Sequence, residues 1–469
     1  MGFTNIELNG IRWRCLNHPA ANCNQRVNRP SATFPHCLTA CQKSGHPVRH
    51  GLAAALLGAI LPLVPAPAAA QEAVRLSAAS AEAAEARHKA ASTIGYYNLE
   101  LGPTAWNFSA GLGLEYNDNV TLQKNGPSGD FVFRPQMNAR MLLPVSDKNS
   151  INLALGAGYS MYVQHAELRR YFITPDSELS FDLYSGDFWI NLHDRISVTE
   201  DAYQDPTVAR TGNYSQLQNA AGLTVLWDLN KASLRAGFDH VVYHTLASAI
   251  KGGGGQSDGQ SELFSASPSY HVQPESELGL DFGAGLIHYD LSGTNSLFSD
   301  AVQWNTGVFY ATQASQYIHL KASVGYTLFS PQWNRPVKGL GAYSGIYAQV
   351  DLGHRLNQYV DYTLSGGRNI SFAFFGGTVD LYSVRWGADW HVLRKFSLNT
   401  GFEYDHGRQI GVGSVAETFD RYGPSVGLGR AITAQLSTVL SYQLFWRASN
   451  LPGNDYLNNV VSANLNYRF

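Results

Sequence analysis

The chain predicts an all-β fold: a transmembrane, antiparallel up-and-down β-barrel of about 18 strands. Three observations predict it. Residues 456–469 alternate strictly: Val461, Ala463, Leu465, Tyr467 and Phe469 are apolar, and Ser462, Asn464, Asn466 and Arg468 between them are polar. Strand-like runs of roughly ten to fifteen residues follow one another from Thr104 onward. Such runs exceed the usual soluble strand of about 5–6 residues and suit a tilted membrane crossing of about 9–11 plus rims. Finally, short turns and long loops take turns along the chain, the stated anatomy of a bacterial outer-membrane barrel.

Residues 1–47 stand outside this pattern. They hold all four cysteines (Cys15, Cys23, Cys37, Cys41), at spacings that match no zinc motif. Arg49 and His50 then precede an apolar run at 52–64 and an Ala-x-Ala site at Ala68 and Ala70. That order is a secretory signal peptide over 48–70. Pro62, Pro65 and Pro67 disfavour a transmembrane helix, and no charged flank follows. A signal behind 47 residues implies that translation begins near Val48 and that 1–47 is a start-site artefact.

Beyond residue 70 the chain carries 27 Lys/Arg against 35 Asp/Glu, a net charge of −8, which argues against nucleic acid as a partner. It has no cysteine, so thiol chemistry is excluded. Residues 71–103 read as a periplasmic arm, helical or disordered, with an Ala- and Glu-rich stretch at 72–92 that is marginal as an isolated helix. Docking of this arm in the lumen as a plug is the weaker reading.

From 104 to 469 the text is uniform, with no linker and no fixed repeat. In 396–405 the outward set is Phe396, Leu398, Thr400, Phe402 and Tyr404, and the inward set is Ser397, Asn399, Gly401, Glu403 and Asp405. In 317–328 the outward set runs from Ile318 to Leu328. In 435–447 it includes Leu436, Leu440, Tyr442, Leu444 and Trp446. Short polar turns fall at 147–149, 185–187, 228–231, 273–275, 314–316, 356–358, 393–395 and 431–434. Longer loops fall at 117–129, 165–175, 200–212, 246–260, 292–300, 330–341, 408–417 and 448–454, with an apolar ninth near 372–377. Eight turns and nine loops give the 18 strands. Trp106, Tyr116, Tyr326, Tyr404 and Trp446 fit interfacial girdles.

A closed sheet of this size encloses an aqueous lumen. Alternation points Arg134, Arg140, Arg195, Arg235, Lys321, Arg385, Arg447 and Arg468 inward as cations. It points Asp182, Asp281, Asp351, Asp361, Asp389, Glu403 and Asp405 inward as anions. The mixture indicates a polar lumen without ion preference, its charges mostly paired across strands. Inward aromatics Tyr243, Tyr289, Tyr317 and Phe445 offer stacking surfaces for sugar rings.

Searches for chemistry return nothing. His193, His240, His288, His319, His354 and His391 are scattered, and no HExxH occurs. Glu200, Asp201 and Asp205 lack the spacing of a calcium loop and read as solvated. The Gly run at 252–255 reads as a flexible loop tip. The expectation is no enzyme, no metal and no cofactor.

Residues 99–103 (LELGP) and 108–120 (FSAGLGLEYNDNV) resemble the opening of the putative β-barrel porin 2 group of bacterial outer-membrane barrels. The distinctive part is Tyr116, Asp118, Asn119 and Val120. Likewise Leu465, Tyr467 and Phe469 resemble the C-terminal signal by which such barrels are recognised for insertion. The resemblance implies the outer membrane of a Gram-negative-type cell. It also implies contact with lipid, lipopolysaccharide and the barrel-assembly machinery, and a link to exopolysaccharide export. The expected function is a channel for polar solutes, with saccharide chains the leading candidate. The alternatives are a structural or adhesive barrel with a blocked lumen and, behind it, a lipase-type enzyme.

Overall fold

A computed structural model describes residues 3–8, 11–16, 42–43, 97–199, 201–246, 258–290, 300–331, 342–372, 378–393, 395–410 and 416–469. The signal segment, the arm up to residue 96 with its suggested plug role, and the Gly run lie outside the described residues. Residues 1–62 form a separate unit with three antiparallel strands, Phe3–Leu8, Ile11–Leu16 and Gln42–Lys43. The end of the expected arm contains a short strand, Leu99–Leu101, hairpinned onto Thr104–Trp106.

Eighteen strands close into one antiparallel ring. The first six are β1 Thr104–Asn117, β2 Asp130–Pro144, β3 Ser150–Tyr162, β4 Glu178–Ser185, β5 Phe188–Thr199 and β6 Gln216–Asp228. Next come β7 Ala232–Thr245, β8 Gly259–Gln273, β9 Ser276–Tyr289, β10 Ala301–Ser315, β11 Ile318–Pro331 and β12 Tyr343–Asn357. The last are β13 Val360–Phe372, β14 Thr378–Leu393, β15 Phe396–Ile410, β16 Thr418–Ala431, β17 Leu436–Ser449 and β18 Tyr456–Arg468. Turns and loops alternate as expected, with both ends of the barrel at the turn side.

The outer surface explains why this sheet belongs in lipid. Leu440, Tyr442, Trp446, Val461, Leu465 and Tyr467 are exposed on neighbouring strands, as are Tyr116 and Tyr326 at the rims. Contiguous apolar surface on that scale would aggregate a water-soluble protein.

Closure depends on β18 meeting β1. Their ladder runs from Arg468↔Ser109 to Val460↔Asn117. Beyond it, side chains carry the pairing on to the loop rim. Asp118 accepts from the Asn459 N–H (2.7 Å) and Nδ2 (2.6 Å), and Asn119 Nδ2 donates to the Leu457 carbonyl (2.9 Å). Asn458 Nδ2 donates to Asn117 Oδ1 (2.7 Å) and to the Asn119 carbonyl (2.8 Å). The distinctive stretch at 116–120 is therefore a clasp across the junction of first and last strands. Val120 packs beside it with Val132, Tyr162 and Leu168.

Two departures from a regular ladder stand out. The loop expected at 165–175 is shorter: the chain returns to the sheet at Arg170–Ile173, pairing with β3, and continues as β4 after a bulge. The partner positions shift by two residues across that bulge, so the inward and outward sets keep their faces. Within it, Ser177 Oγ accepts from the Gly156 N–H (3.0 Å) and the Thr174 N–H reaches the Gly156 carbonyl (2.9 Å). Pro175, which lacks an N–H, sits where no ladder bond is required.

The second departure is between β12 and β13. β12 pairs with β11 up to Tyr343, but among the described residues its pairing with β13 stops at Gln349↔Gly367. Side chains take up the freed groups: Arg368 Nη1 donates to the Ile346 carbonyl (3.1 Å), and the Ile370 N–H donates to Asn369 Oδ1 (2.8 Å). Arg368 is held in turn by both oxygens of Asp380 (2.8 Å each).

The terminal aromatic stays on the sheet. The Phe469 N–H donates to the Phe108 carbonyl (3.3 Å), its ring meets Tyr467 edge-on at 5.3 Å, and its carbonyl accepts from Asn98 (2.9 Å). Changing Phe469 to Glu is expected to block assembly while export to the periplasm continues. The check is loss of the compact, heat-modifiable electrophoretic band with the exported chain still present in the periplasm.

Candidate functional site

The site is built on the loop between β5 and β6. Its described part, 201–215, contains a 3-10 turn at Ala202–Gln204. An Asx-type turn follows, in which Asp205 Oδ1 accepts from the Thr207 N–H (2.8 Å) and hydroxyl (2.7 Å). These local bonds let the segment hold its shape away from the sheet. Burial pushes the Asp205 carboxyl above the ordinary carboxylate range, against the pull of those two donors.

The loop does not stay at its own edge of the barrel. Asp201 takes two bonds from Arg134 of β2 (2.6 and 3.1 Å). Farther round the same arc, Arg421 of β16 donates to the Tyr203 carbonyl (2.8 Å), and Arg447 of β17 donates to the Pro206 carbonyl (3.3 Å). From β5 to β16 is seven strand steps round a ring of eighteen, close to half the circumference. The segment folds inward and covers the arc of wall that runs from β2 through β1, β18 and β17 to β16.

Apolar packing fixes the loop against this wall. Leu122, Ala202, Tyr203, Val208, Ala209 and Tyr214 bury one another against the inward residues Phe445, Tyr456 and Val460. The Tyr203 and Phe445 rings lie 5.5 Å apart, and Arg421 stacks over Phe445 at 5.0 Å. The Arg210 N–H bonds the Leu122 carbonyl (2.9 Å), tying this loop to the one after β1. At Gly212 any side chain would meet the Val120 carbonyl oxygen at 2.1 Å, so only glycine allows that approach.

The arginines under the loop are all neutralised. Arg421 binds Glu403 (2.9 Å) and Asp405 (2.8 Å), Arg447 binds Glu417 (2.8 Å), Arg385 reaches Asp405 (3.3 Å), and Arg134 reaches Glu115 (3.3 Å). Arg421 and Arg447 are essentially inaccessible to solvent, 1% and 0% exposed. Buried charges persist only when so paired and hydrogen-bonded. This set is a clamp, and it presents little free positive charge to a solute.

Several of the other charges read as inward from the alternation have partners. Arg195 bridges Glu178 (3.3 Å) and Asp239 (3.4 Å), Arg235 pairs with Glu277, and Arg140 reaches Asp176 (3.4 Å). Lys321 stands opposite Asp351 in the register and over the Phe309 ring at 5.3 Å. Asp281 accepts from Ser267 (2.8 Å), and Asp389 from Asn399. Asp182 accepts from Trp189, Asn191 and Asn152.

Two expectations are corrected here. Asp201 and Asp205 do not sit in a solvated loop; one is an anchor and the other is buried. Nor do the four inward aromatics form a track. Tyr317 lies exposed in the turn after β10, Phe445 is covered by Tyr203 and Arg421, and Tyr243 and Tyr289 pack edge-on at 5.5 Å in a buried apolar cluster with Leu263, Ile287 and Phe329. Arg421 was missed from the inward set, although its alternation with Tyr422 and its register with Asp405 carry the signal.

Removing Arg421 leaves Glu403 and Asp405 buried without their strongest partner. Arg421→Met is expected to cost about 3–5 kcal/mol. The check is the thermal midpoint of the heat-modifiable band, with Arg421→Met/Asp405→Leu recovering part of the loss.

The family described as Putative beta-barrel porin 2 matches residues 106–469. Among solved structures, OccAB3 of Acinetobacter baumannii is similar at 10% identity, covering 79% of this chain and 100% of that one, with a TM-score of 0.46. OccK5 (OpdH) of Pseudomonas aeruginosa is similar at 8% identity over 79% and 99% (TM-score 0.45). OpdK of the same organism is similar at 12% identity over 78% and 99% (TM-score 0.45). No curated protein matches the chain.

Proposed function

The chain belongs to the putative beta-barrel porin 2 family, barrels of the cell outer membrane, and we propose that it is a channel for polar solutes without net charge. The observation that carries this reading is the inward-folded loop, clamped through Arg134, Arg421 and Arg447 to the stretch of wall from β2 to β16. A polar lumen narrowed by one fixed segment sorts solutes by width. Because the clamp arginines are already paired, an acidic solute gains little from them.

Saccharide chains remain the leading solute class, in line with the exopolysaccharide link that the resemblance implies. With the aromatic positions covered, recognition rests on hydroxyl, amide and carboxylate groups of the far wall. Ser267 and Asp281, Asn305 and Thr327, and Gln349 and Asp351 stand there as bonded pairs. Such pairs exchange hydrogen bonds with sugar hydroxyls readily. The barrel would be inserted by the barrel-assembly machinery and be surrounded by lipid and lipopolysaccharide. The blocked-lumen alternative draws on the same loop, and conductance separates the two.

In planar bilayers the folded barrel is expected to open discrete channels that neutral oligosaccharides block in a length-dependent way. Replacing residues 203–209 by a short Gly/Ser link is expected to raise single-channel conductance severalfold. Channels that sugars never block would leave a general diffusion pore, and a silent barrel would establish the structural reading.

A further inference from the structure

At the loop rim, three residues from two loops meet in an arrangement that the channel reading does not use. Ser128 Oγ lies 3.0 Å from His165 Nε2, and His165 Nδ1 lies 3.1 Å from Asp130 Oδ2. Ser128 ends the loop before β2, Asp130 is the first residue of β2, and His165 belongs to the loop after β3. We propose that Ser128, His165 and Asp130 form a nucleophilic triad that hydrolyses carboxylic esters of amphiphiles at the outer surface of the membrane.

Asp130 fixes the geometry. Its side chain is fully buried, and its oxygens accept from the backbone N–H groups of Val163 (3.2 Å), Gln164 (3.0 Å) and His165 (2.8 Å). The carboxylate thus holds both the ring and the backbone that bears it. A proton on Nδ1, shared with that carboxylate, leaves Nε2 as the acceptor facing the serine hydroxyl. Ser128 Oγ bonds to His165, and the imidazole remains partly open to solvent, 17% exposed. A purely structural tie between the two loops would need only Asp130 and the three N–H groups. The serine adds nothing to that tie.

The surroundings supply the rest of the chemistry. The N–H of Gly129, directly after the serine, makes no hydrogen bond among the described residues and can serve a developing oxyanion. Gly129 abuts the Tyr116 hydroxyl, 3.2 Å from where a Cβ would stand. Tyr116 in turn packs on Phe131 at 4.8 Å, and both are exposed on the lipid-facing side. The triad is therefore one side chain away from the aromatic girdle, where an ester carried by an amphiphile would be presented.

The reaction balances without a co-reactant other than water. Ser128 Oγ attacks the ester carbonyl carbon as His165 Nε2 takes the hydroxyl proton, and the carbonyl electrons move to oxygen. Collapse breaks the bond to the alkoxy group, which leaves as the alcohol with the proton from His165. Water, deprotonated by the same nitrogen, attacks the acyl-serine; collapse frees the carboxylic acid, and the proton returns to Ser128.

The test uses the full folded barrel in detergent, with folding followed by heat-modifiable migration. A fluorophosphonate probe should label it, and p-nitrophenyl decanoate in micelles should turn over at least tenfold faster than soluble p-nitrophenyl acetate. Ser128→Ala, which removes a single hydroxyl, should abolish labelling and bring turnover to background. His165→Gln should lower turnover on the order of 10³-fold. Asp130→Asn should lower kcat with KM little changed and move the pH profile. An unlabelled and inactive wild-type barrel, or Ser128→Ala barrels labelled as strongly as wild type, would overturn the triad. A preference for the soluble acetate would overturn its assignment to amphiphiles.

Discussion

Everything in this molecule follows from the requirement that backbone N–H and C=O groups crossing hydrocarbon be paired within the protein. A sheet meets it only by closing, so β18 must find β1 across more than 300 residues of sequence. The ladder delivers nine of those rungs, from Arg468↔Ser109 to Val460↔Asn117. At the rim, Asp118, Asn119 and Asn458 replace ladder bonds with side-chain bonds to the same backbone groups. The β12–β13 wall is handled the same way, where Arg368 caps the Ile346 carbonyl and Asn369 caps the Ile370 N–H. The polar residues with the most defined positions on the wall are thus substitutes for missing rungs.

Closure creates the second constraint. The inner wall receives the polar half of every strand, including charges that water can reach only in part. Each such charge is either solvated or partnered, and here partners dominate. Arg421 and Arg447 reach the β5–β6 loop through backbone carbonyls and the wall through carboxylates, so one guanidinium both neutralises the wall and fixes the loop. A channel built this way has its width set by a loop and its charge set by internal pairing.

Much of this was legible in the sequence because a period of two is local. The inward and outward faces of β15, β11 and β17, the eight turns and the strand number follow from residues that are neighbours in the chain. The bulge in β4 was hidden because Pro175 is a sound end-of-loop signal, and only pairing with β3 shows that the strand resumes five residues earlier. Asp201 and Asp205 look solvated because burial by distant parts of the chain leaves no local trace: Arg134, which anchors Asp201, lies 67 residues away on β2. The aromatics Tyr243, Tyr289 and Phe445 read as open because their covering partners lie tens of residues away in the sequence. Likewise Ser128 and His165 are 37 residues apart in two loops, with no motif linking them.

The β5–β6 loop leaves its own edge of the barrel and packs on the inner wall formed by β16 and β17. The sequence beyond residue 70 has no cysteine, so engineered pairs report contact without background. Tyr203→Cys with Phe445→Cys should cross-link on mild oxidation in intact outer membranes, and Tyr203→Cys with Asp281→Cys on β9 should not. Efficient cross-linking to position 281, with none to 445, would contradict the account.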